Sequence, residues 1–400
     1  MPMALEGLRV LEVSRVAVGG FCTMMLADMG ANVIKVEAPP EQGGGLLSDP
    51  ENLRMRRLAV DRNKKSILLN MKHSQGQELF QRLATTADVL IEGFRPGVMG
   101  RLGAGYDALQ KLNPRLIYCS LSGYGQTGPL RLAPGHDANF IALAGALSMI
   151  GEQGGKPVIP VNFLADYASA ALHATIGILM AIIARGKTGE GQHIDVAYAD
   201  GVIAMMGALP ATWEYLAKGR IIERGTTMVV GAYAYNGVYQ TKDGHYVTLG
   251  CVEHHLWENF CKTVGREDLI PYKHHPRHTT EPPTERERWA KAETEALFRT
   301  KTRAEWEALL KDKDVCFAPV LNVGEALAHP QFTARGLVVE IQDREGRSAK
   351  VIGPAIKYSA TPAVVRTPAP AVGEHTREIA LSLGYTDQQY DQMASRGVFW

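Results

Sequence analysis

The feature that most limits how this chain can fold is the alternation of short apolar runs and helix-like segments through its first half. Residues 8–13 (LRVLEV) read as a buried strand, and Gly19-Gly20 open a helix that runs through Met29. Asn32–Glu37 (NVIKVE) is the next strand, followed by strands at 66–70, 89–91 and 116–121, with a helix around 75–86. Strands separated by helical crossovers of this length form a mostly parallel sheet with helices on both faces, because such crossovers are right-handed. The fold class expected is α/β.

Two long helices are expected next, one from His136 through FIALAGALSMI and one from Asp166 to Arg185. Beyond Thr226 the pattern changes. Residues 235–241 and 245–250 alternate across Lys242-Asp243-Gly244, a hairpin signal. Charged helical segments follow from Leu256 to Lys311, so a smaller α+β domain is expected over 225–325. The Pro-rich stretch 361–375 reads as an extended linker wrapping a surface, with a short helix after it.

At 400 residues the chain is long enough for two cores. A net charge of +1 argues against a nucleic-acid or membrane-surface partner, so an anionic ligand must be met by a local basic cluster. The opening MPMALEGLRVLEV lacks an export-signal pattern, and the longest apolar run, 172–184, is too short for a bilayer and contains His173. Cys22, Cys119, Cys251, Cys261 and Cys316 are odd in number, form no CxxC pair and sit in apolar surroundings. Reduced core thiols in the cytosol are the expectation.

Several residues invite a chemical reading beside a plainer one. Glu37 ends a strand where it could hold a ribose hydroxyl, but residues 16–21 (VAVGGF) lack the G-x-G-x-x-G that a dinucleotide needs. Arg54, Arg56, Arg57, Arg62, Lys64 and Lys65 form either a solvated loop or a phosphate clamp. In Pro134-Gly135-His136-Asp137 the acid reads as a helix cap, while a helix N-terminus would favour His136 as a neutral base. Asp166 lies in an apolar run with Asn162 four residues before it. It is either a cap or an ionised carboxylate held by the Asn162 amide, able to take a proton or attack a carbonyl. Glu253 ends a strand and can project into a cleft. His254, His255, His274, His275 and His278 match no ligand spacing, so no metal is expected.

Together these segments resemble the class III CoA-transferase family, which includes the α-methylacyl-CoA racemases. The resemblance is carried in order by LADMGANVIKVEAP, NKKSILLNMK, ADVLIEGFRPGVMGRLG, PRLIYCSLSGYGQTGP, TGEGQHIDV, KTRAEWEALLKDKDVCFAPVL and GEHTREIALSLG. It implies a Rossmann-like large domain from residues 1–205 and 330–400 and an interlocked homodimer. It also implies an acyl-CoA thioester as substrate, with no cofactor beyond coenzyme A itself. By region, Arg57, Lys65, Leu69, Gly93, Phe94, Arg95 and Arg101 are the implied CoA contacts.

Two chemistries occur within the resemblance. In the racemase branch a His and an Asp flank the α-carbon, supported by a Glu and an Asn; His136, Asp166, Glu253 and Asn162 match these. In the transferase branch the matching aspartate, again Asp166, is a nucleophile that forms an acyl anhydride. The four-residue set favours the racemase. The chain departs from that branch at residues 229–233 (VVGAY) and at Ala168-Ser169-Ala170, where glycines are usual, and at Ala38, where a basic residue is common. A non-catalytic CoA-binding subunit is the reading from another class, and it would not keep Asp166.

Overall fold

The computed structural model describes residues 3–14, 17–38 and 49–399. Its first half contains β1 (Arg9–Val13), α1 (Ala17–Asp28), β2 (Asn32–Glu37), α2 (Pro50–Val60), β3 (Lys64–Leu68), α3 (Ser74–Thr86), β4 (Val89–Glu92), α4 (Val98–Arg101), α5 (Tyr106–Leu112) and β5 (Ile117–Ser122). After α6 (Asp137–Leu143) and α7 (His173–Thr188), β6 (His193–Ala197) completes the sheet. The six strands lie in the order β3-β2-β1-β4-β5-β6, every neighbouring pair parallel. Covered on both faces, the central strands are mostly apolar; every residue of β4 and β5 is buried. The chain winds one way from β1 to β2 and the other way from β4 to β5. The crevice beyond the carboxyl ends of β1 and β4 is therefore the switch point, where open α/β sheets take their ligands.

The described chain divides into two compact units. One comprises Met1–Ile141, Asn162–Val202 and His329–Trp400, and the other Ala142–Val161 and Ile203–Ala328. In the second unit β7 (Asn236–Gln240) and β8 (Tyr246–Gly250) form the expected hairpin, with Gly244 at φ +79°, and β9 (Phe317–Pro319) pairs antiparallel with β8. Trp257, Phe260, Phe298 and Trp306 fill its core. In the first unit a further antiparallel hairpin, β10 (Val338–Gln342) with β11 (Ser348–Ile352), stands where the sequence showed no distinct element.

The Pro-rich stretch runs without helix or strand, and Asn63 holds it. Its Oδ1 accepts from the backbone N–H of Arg366 and Thr367, and its amide donates to the Val364 carbonyl and to Asp28. Asn63 sits at φ 62°, a left-handed conformation that Asn tolerates well.

Four expectations need correction. The helix from His136 to Ile150 is two pieces, because Gly145 at φ +87° turns the chain from α6 into a 3-10 turn, Ala146–Met149. The second helix starts earlier than Asp166, and its first part, Phe163–Leu172, is π-helical before α7 continues. That makes Phe163–Thr188 a 26-residue helical run, long and apolar enough to cross a membrane by length and composition. Length therefore does not exclude a span, although Ala174, Ile178 and Ala181 are buried, as in a core helix. Finally, Cys316 is exposed, while the other four thiols are buried.

Candidate active site

The π-helical run places Asn162 and Asp166 one above the other, and the Asn162 amide donates to Asp166 Oδ2 at 2.9 Å. Such π-type turns concentrate at functional positions. Val161, just before Asn162, sits at φ +57°, a strained conformation for a β-branched residue. Asp166 is half-buried and does not cap its helix. Burial pushes its carboxyl above the usual aspartate range; the Asn162 hydrogen bond opposes this, the Asp137 charge adds to it, and the His136 charge opposes it. His136 is thus near enough to act on Asp166 through space. The first unit brings His136, Asp137, Asn162 and Asp166 together.

His136 is exposed at the start of α6. Its backbone N–H donates to Asn139 Oδ1 at 3.0 Å, and its carbonyl accepts from Asn139 and Phe140 N–H. Phe140 is buried under the preceding loop, where a Cβ at Gly135 would come within 2.6 Å of its ring. On the far side of the π-helical run, Ser169 donates to the Tyr198 carbonyl, and a Cβ at Gly201 would lie 2.2 Å from the Ser169 hydroxyl. These two glycines permit the close approach that sets both helices in place.

Asp137 caps a helix, but not the one it begins. Its Oδ2 accepts from the backbone N–H of Ala165 and Asp166. Glu253 lies in the second unit, exposed, as the residue before helix His254–Val264, and makes no side-chain cap bond. Of the histidines near it, His278 is buried between Tyr235 and Glu287. Among the described residues no group of three His, Cys, Asp or Glu is placed to hold a metal.

The basic cluster is neither a solvated loop nor an intact clamp, because most of it is consumed inside the protein. Arg54, Arg56 and Arg57 lie on α2, which Asp49 caps and Pro50 begins. Arg54 pairs with Glu51 and Asp343, and Arg57 with Glu37 and the Pro370 carbonyl. Arg62 pairs with Asp28, and Lys64 donates to Glu12 at 2.8 Å, Lys64 and Glu12 both being buried. Glu37 also accepts from Ser66. Both of its oxygens are engaged inside the protein, which weighs against the dinucleotide reading. Among the described residues the Lys65 side chain keeps only an exposed pair with Glu378. Arg56 makes no hydrogen bond or ion pair with a described residue, yet its charge reaches the Tyr167 hydroxyl beside Asp166. Leu69 is 2% exposed, so its side chain belongs to the core and only its backbone could meet a ligand.

Gly93, Phe94 and Arg95 leave β4 at the switch point, and Arg95 and Arg101 are exposed. The loop is anchored by Glu92, which accepts from the Phe94 N–H at 2.8 Å. Burial raises the Glu92 carboxyl to about 7, against hydrogen bonds from Ser120 and Phe94. A carboxyl raised in the folded state costs nothing below its unfolded value of 4.5; the cost grows as pH rises and is complete above about 7. Glu92→Gln is therefore expected to leave stability unchanged near pH 4.5 and to raise it at pH 8 by roughly 2–3 kcal/mol. Urea melts at the two pH values check this; equal effects at both would contradict it.

A parallel 3-2-1-4-5-6 sheet with a carboxylate–amide–histidine group on two adjoining helix starts defines an α/β protein of Rossmann type. The chain matches the family model of CoA-transferase family III over residues 5–376. It belongs to that family. It is 35% identical to human α-methylacyl-CoA racemase, covering 98% of this chain and 97% of that protein. It is 32% identical to human succinyl-CoA:glutarate CoA-transferase, covering 98% and 89%. Among solved structures, a CAIB/BAIF family protein from Brucella suis superposes with a TM-score of 0.80 at 30% identity, covering 96% of this chain and all of that one.

Proposed function

We propose that this protein racemises 2-methyl-branched acyl-CoA thioesters by moving the α-proton between Asp166 and His136. The observation that carries this is the Asp166 carboxylate, half-buried, held by Asn162 and within electrostatic reach of His136. Inverting a carbon with one acidic hydrogen takes a base on one face and an acid on the other, with an enolate between them. Burial makes Asp166 a stronger base than a solvated aspartate, and closer in proton affinity to an imidazole. Asn162 orients Asp166. Likeness to a racemase along the whole chain supports this reading. Incubation with a single enantiomer of a 2-methylacyl-CoA should give both enantiomers by chiral chromatography; an unchanged enantiomer would defeat it.

A second reading is CoA transfer to a carboxylic acid, with Asp166 as nucleophile forming an acyl anhydride. Its support is that Asp166 Oδ1, in a half-exposed setting, accepts no hydrogen bond among the described residues and that a relative of similar identity is a transferase. Hydroxylamine trapping of an acyl group on Asp166 would favour it.

The coenzyme A moiety is assigned to the switch-point crevice, with Gly93 and Phe94 approaching it. Arg95 and Arg101, with no ion pair or hydrogen bond from their guanidinium groups among the described residues, and the weakly held Lys65 and Arg56 meet its phosphates. Arg57 keeps its internal partners and contributes through the adjoining backbone. Arg95→Ala/Arg101→Ala should raise KM for acyl-CoA at least about tenfold and leave kcat within threefold. An unchanged KM would move the phosphate site elsewhere.

We assign the exposed stripe Ile176, Met180 and Ile183 of α7, 48%, 64% and 64% exposed, to a second copy of this chain in a homodimer. Sedimentation equilibrium should give twice 43.6 kDa, and a monomer at micromolar concentration would contradict it. Four buried free thiols support a cytosolic place; recovery of the native protein in a membrane fraction would contradict it.

A further inference from the structure

The starts of α6 and of the π-helical run are joined by one carboxylate that the proposed reaction does not use. Asp137 is 5% exposed. Its Oδ2 accepts from Ala165 N–H at 2.8 Å and from Asp166 N–H at 3.0 Å, and its Oδ1 is buried with no hydrogen-bond partner among the described residues. Capping alone does not require this. The helical run has its own N-cap residue, Asn162, whose side chain caps nothing and is given to Asp166 instead. A neutral oxygen would cap as well without leaving a buried anionic oxygen bare, a situation that costs free energy.

We propose that Asp137 is a positioning residue that ties the Asp166 main chain to the residue after His136 and sets a fixed negative charge beside the Asp166 carboxylate. The role assigned to it rests on the reading of Asp166 and His136 as the proton-transfer pair. Three groups act on Asp166 directly: Asn162, Asp137 and His136. Tyr167 and Tyr198 each feel its charge, Arg56 acts on Tyr167, and from α1 the facing side chain is Phe21, edge-on to the Tyr167 ring at 5.3 Å. Of these, Asp137 is the one that adds negative charge while holding the backbone. It keeps Asp166 a better proton acceptor and holds it in register with His136.

The test separates charge from capping. Asp137→Asn keeps an oxygen for the two N–H groups and removes the charge; Asp137→Ser does the same with a smaller group. Labelling of Asp166 by a water-soluble carbodiimide, which reacts with the protonated carboxyl, is followed against pH by peptide mass spectrometry. The half-labelling pH should fall by roughly half a unit or more in both variants, with near-UV circular dichroism unchanged. In the same proteins kcat for α-proton exchange should fall at least about fivefold at pH 7, with KM within twofold. A half-labelling pH equal to that of the unaltered protein overturns the proposal. Loss of the fold in both variants also overturns it, since Asp137 would then serve stability alone. Labelling needs no turnover, so failure here is distinct from failure of the racemase reading, which shows in the unaltered protein as an unchanged enantiomer.

Discussion

Asp166→Ala is expected to abolish turnover, with a loss on the order of 10³-fold or more in kcat for whichever acyl-CoA reaction is measured. The same carboxylate is proton acceptor in one chemistry and nucleophile in the other, so this variant confirms the site without choosing between them. His136→Ala makes the choice. With Asp166 intact, one enantiomer still loses its α-proton to the carboxylate and regains one from the same face. Exchange with retention then survives for that enantiomer, while inversion falls by a similar 10³-fold. A transferase running through an aspartyl anhydride would keep much of its rate. Chiral analysis and acyl-transfer assays on the two variants give the four numbers needed. Full inversion by His136→Ala would remove His136 from the mechanism.

The second large effect is on stability. Behind the switch point, Glu12 and Lys64 are both fully buried and pair at 2.8 Å. Lys35 pairs with Asp61 at 2.8 Å beside them, and Thr23 and Ser14 donate to Glu12. Burial acts to raise the Glu12 carboxyl, but Lys64 and Lys35 outweigh it and hold it below the ordinary glutamate range. Asp61 is held at about 2 in the same way. Lys64→Met removes the direct partner of a buried Glu12 charge, leaving only the more distant Lys35, and should cost about 3–5 kcal/mol in urea unfolding at pH 7. Glu12→Leu/Lys64→Met should recover a large part of that loss, because the cost lies in the stranded charge. Carboxylates with depressed values add stability that is complete above the unfolded value of 3.8 and lost as pH falls toward 2. The network's contribution should therefore fade below about pH 4. A Lys64→Met protein as stable as the original would show that the pair is not held dry.

What could be read in advance follows from distance along the chain. Five of the six sheet strands were legible because a strand buried on both faces is an apolar run whatever its partner, whereas β6, HIDVA at the sheet edge and partly exposed, was not. The β7–β8 hairpin was legible because Lys242-Asp243-Gly244 is a turn in itself. Asn162 and Asp166 were legible as a pair since four residues along a helix bring side chains together. The break at Gly145 was hidden by an apolar pattern that continues across it, and nothing in residues 163–172 distinguishes a π-helix from an α-helix. The fate of the basic cluster was illegible for a different reason. Lys64 finds Glu12 across 52 residues and Arg57 finds Pro370 across 313, so a run of like charges on paper is a set of internal pairs in space. Asp137 was seen, but as the cap of its own helix; its bond to a helix start 28 residues on had no local signal. Arg56 stood out only as one of the basic cluster, and Glu92 carried no signal.

Deuterium wash-in tests the central claim most directly. The protein is incubated in heavy water with one enantiomer of a 2-methylacyl-CoA, and the α-position is followed by proton NMR together with chiral analysis. A shuttle between Asp166 and His136 predicts loss of the α-proton signal in step with appearance of the opposite enantiomer, and neither event in the Asp166→Ala protein when the enantiomer supplied is the one whose α-proton faces Asp166. An α-proton that persists while CoA passes to an added carboxylic acid would contradict it.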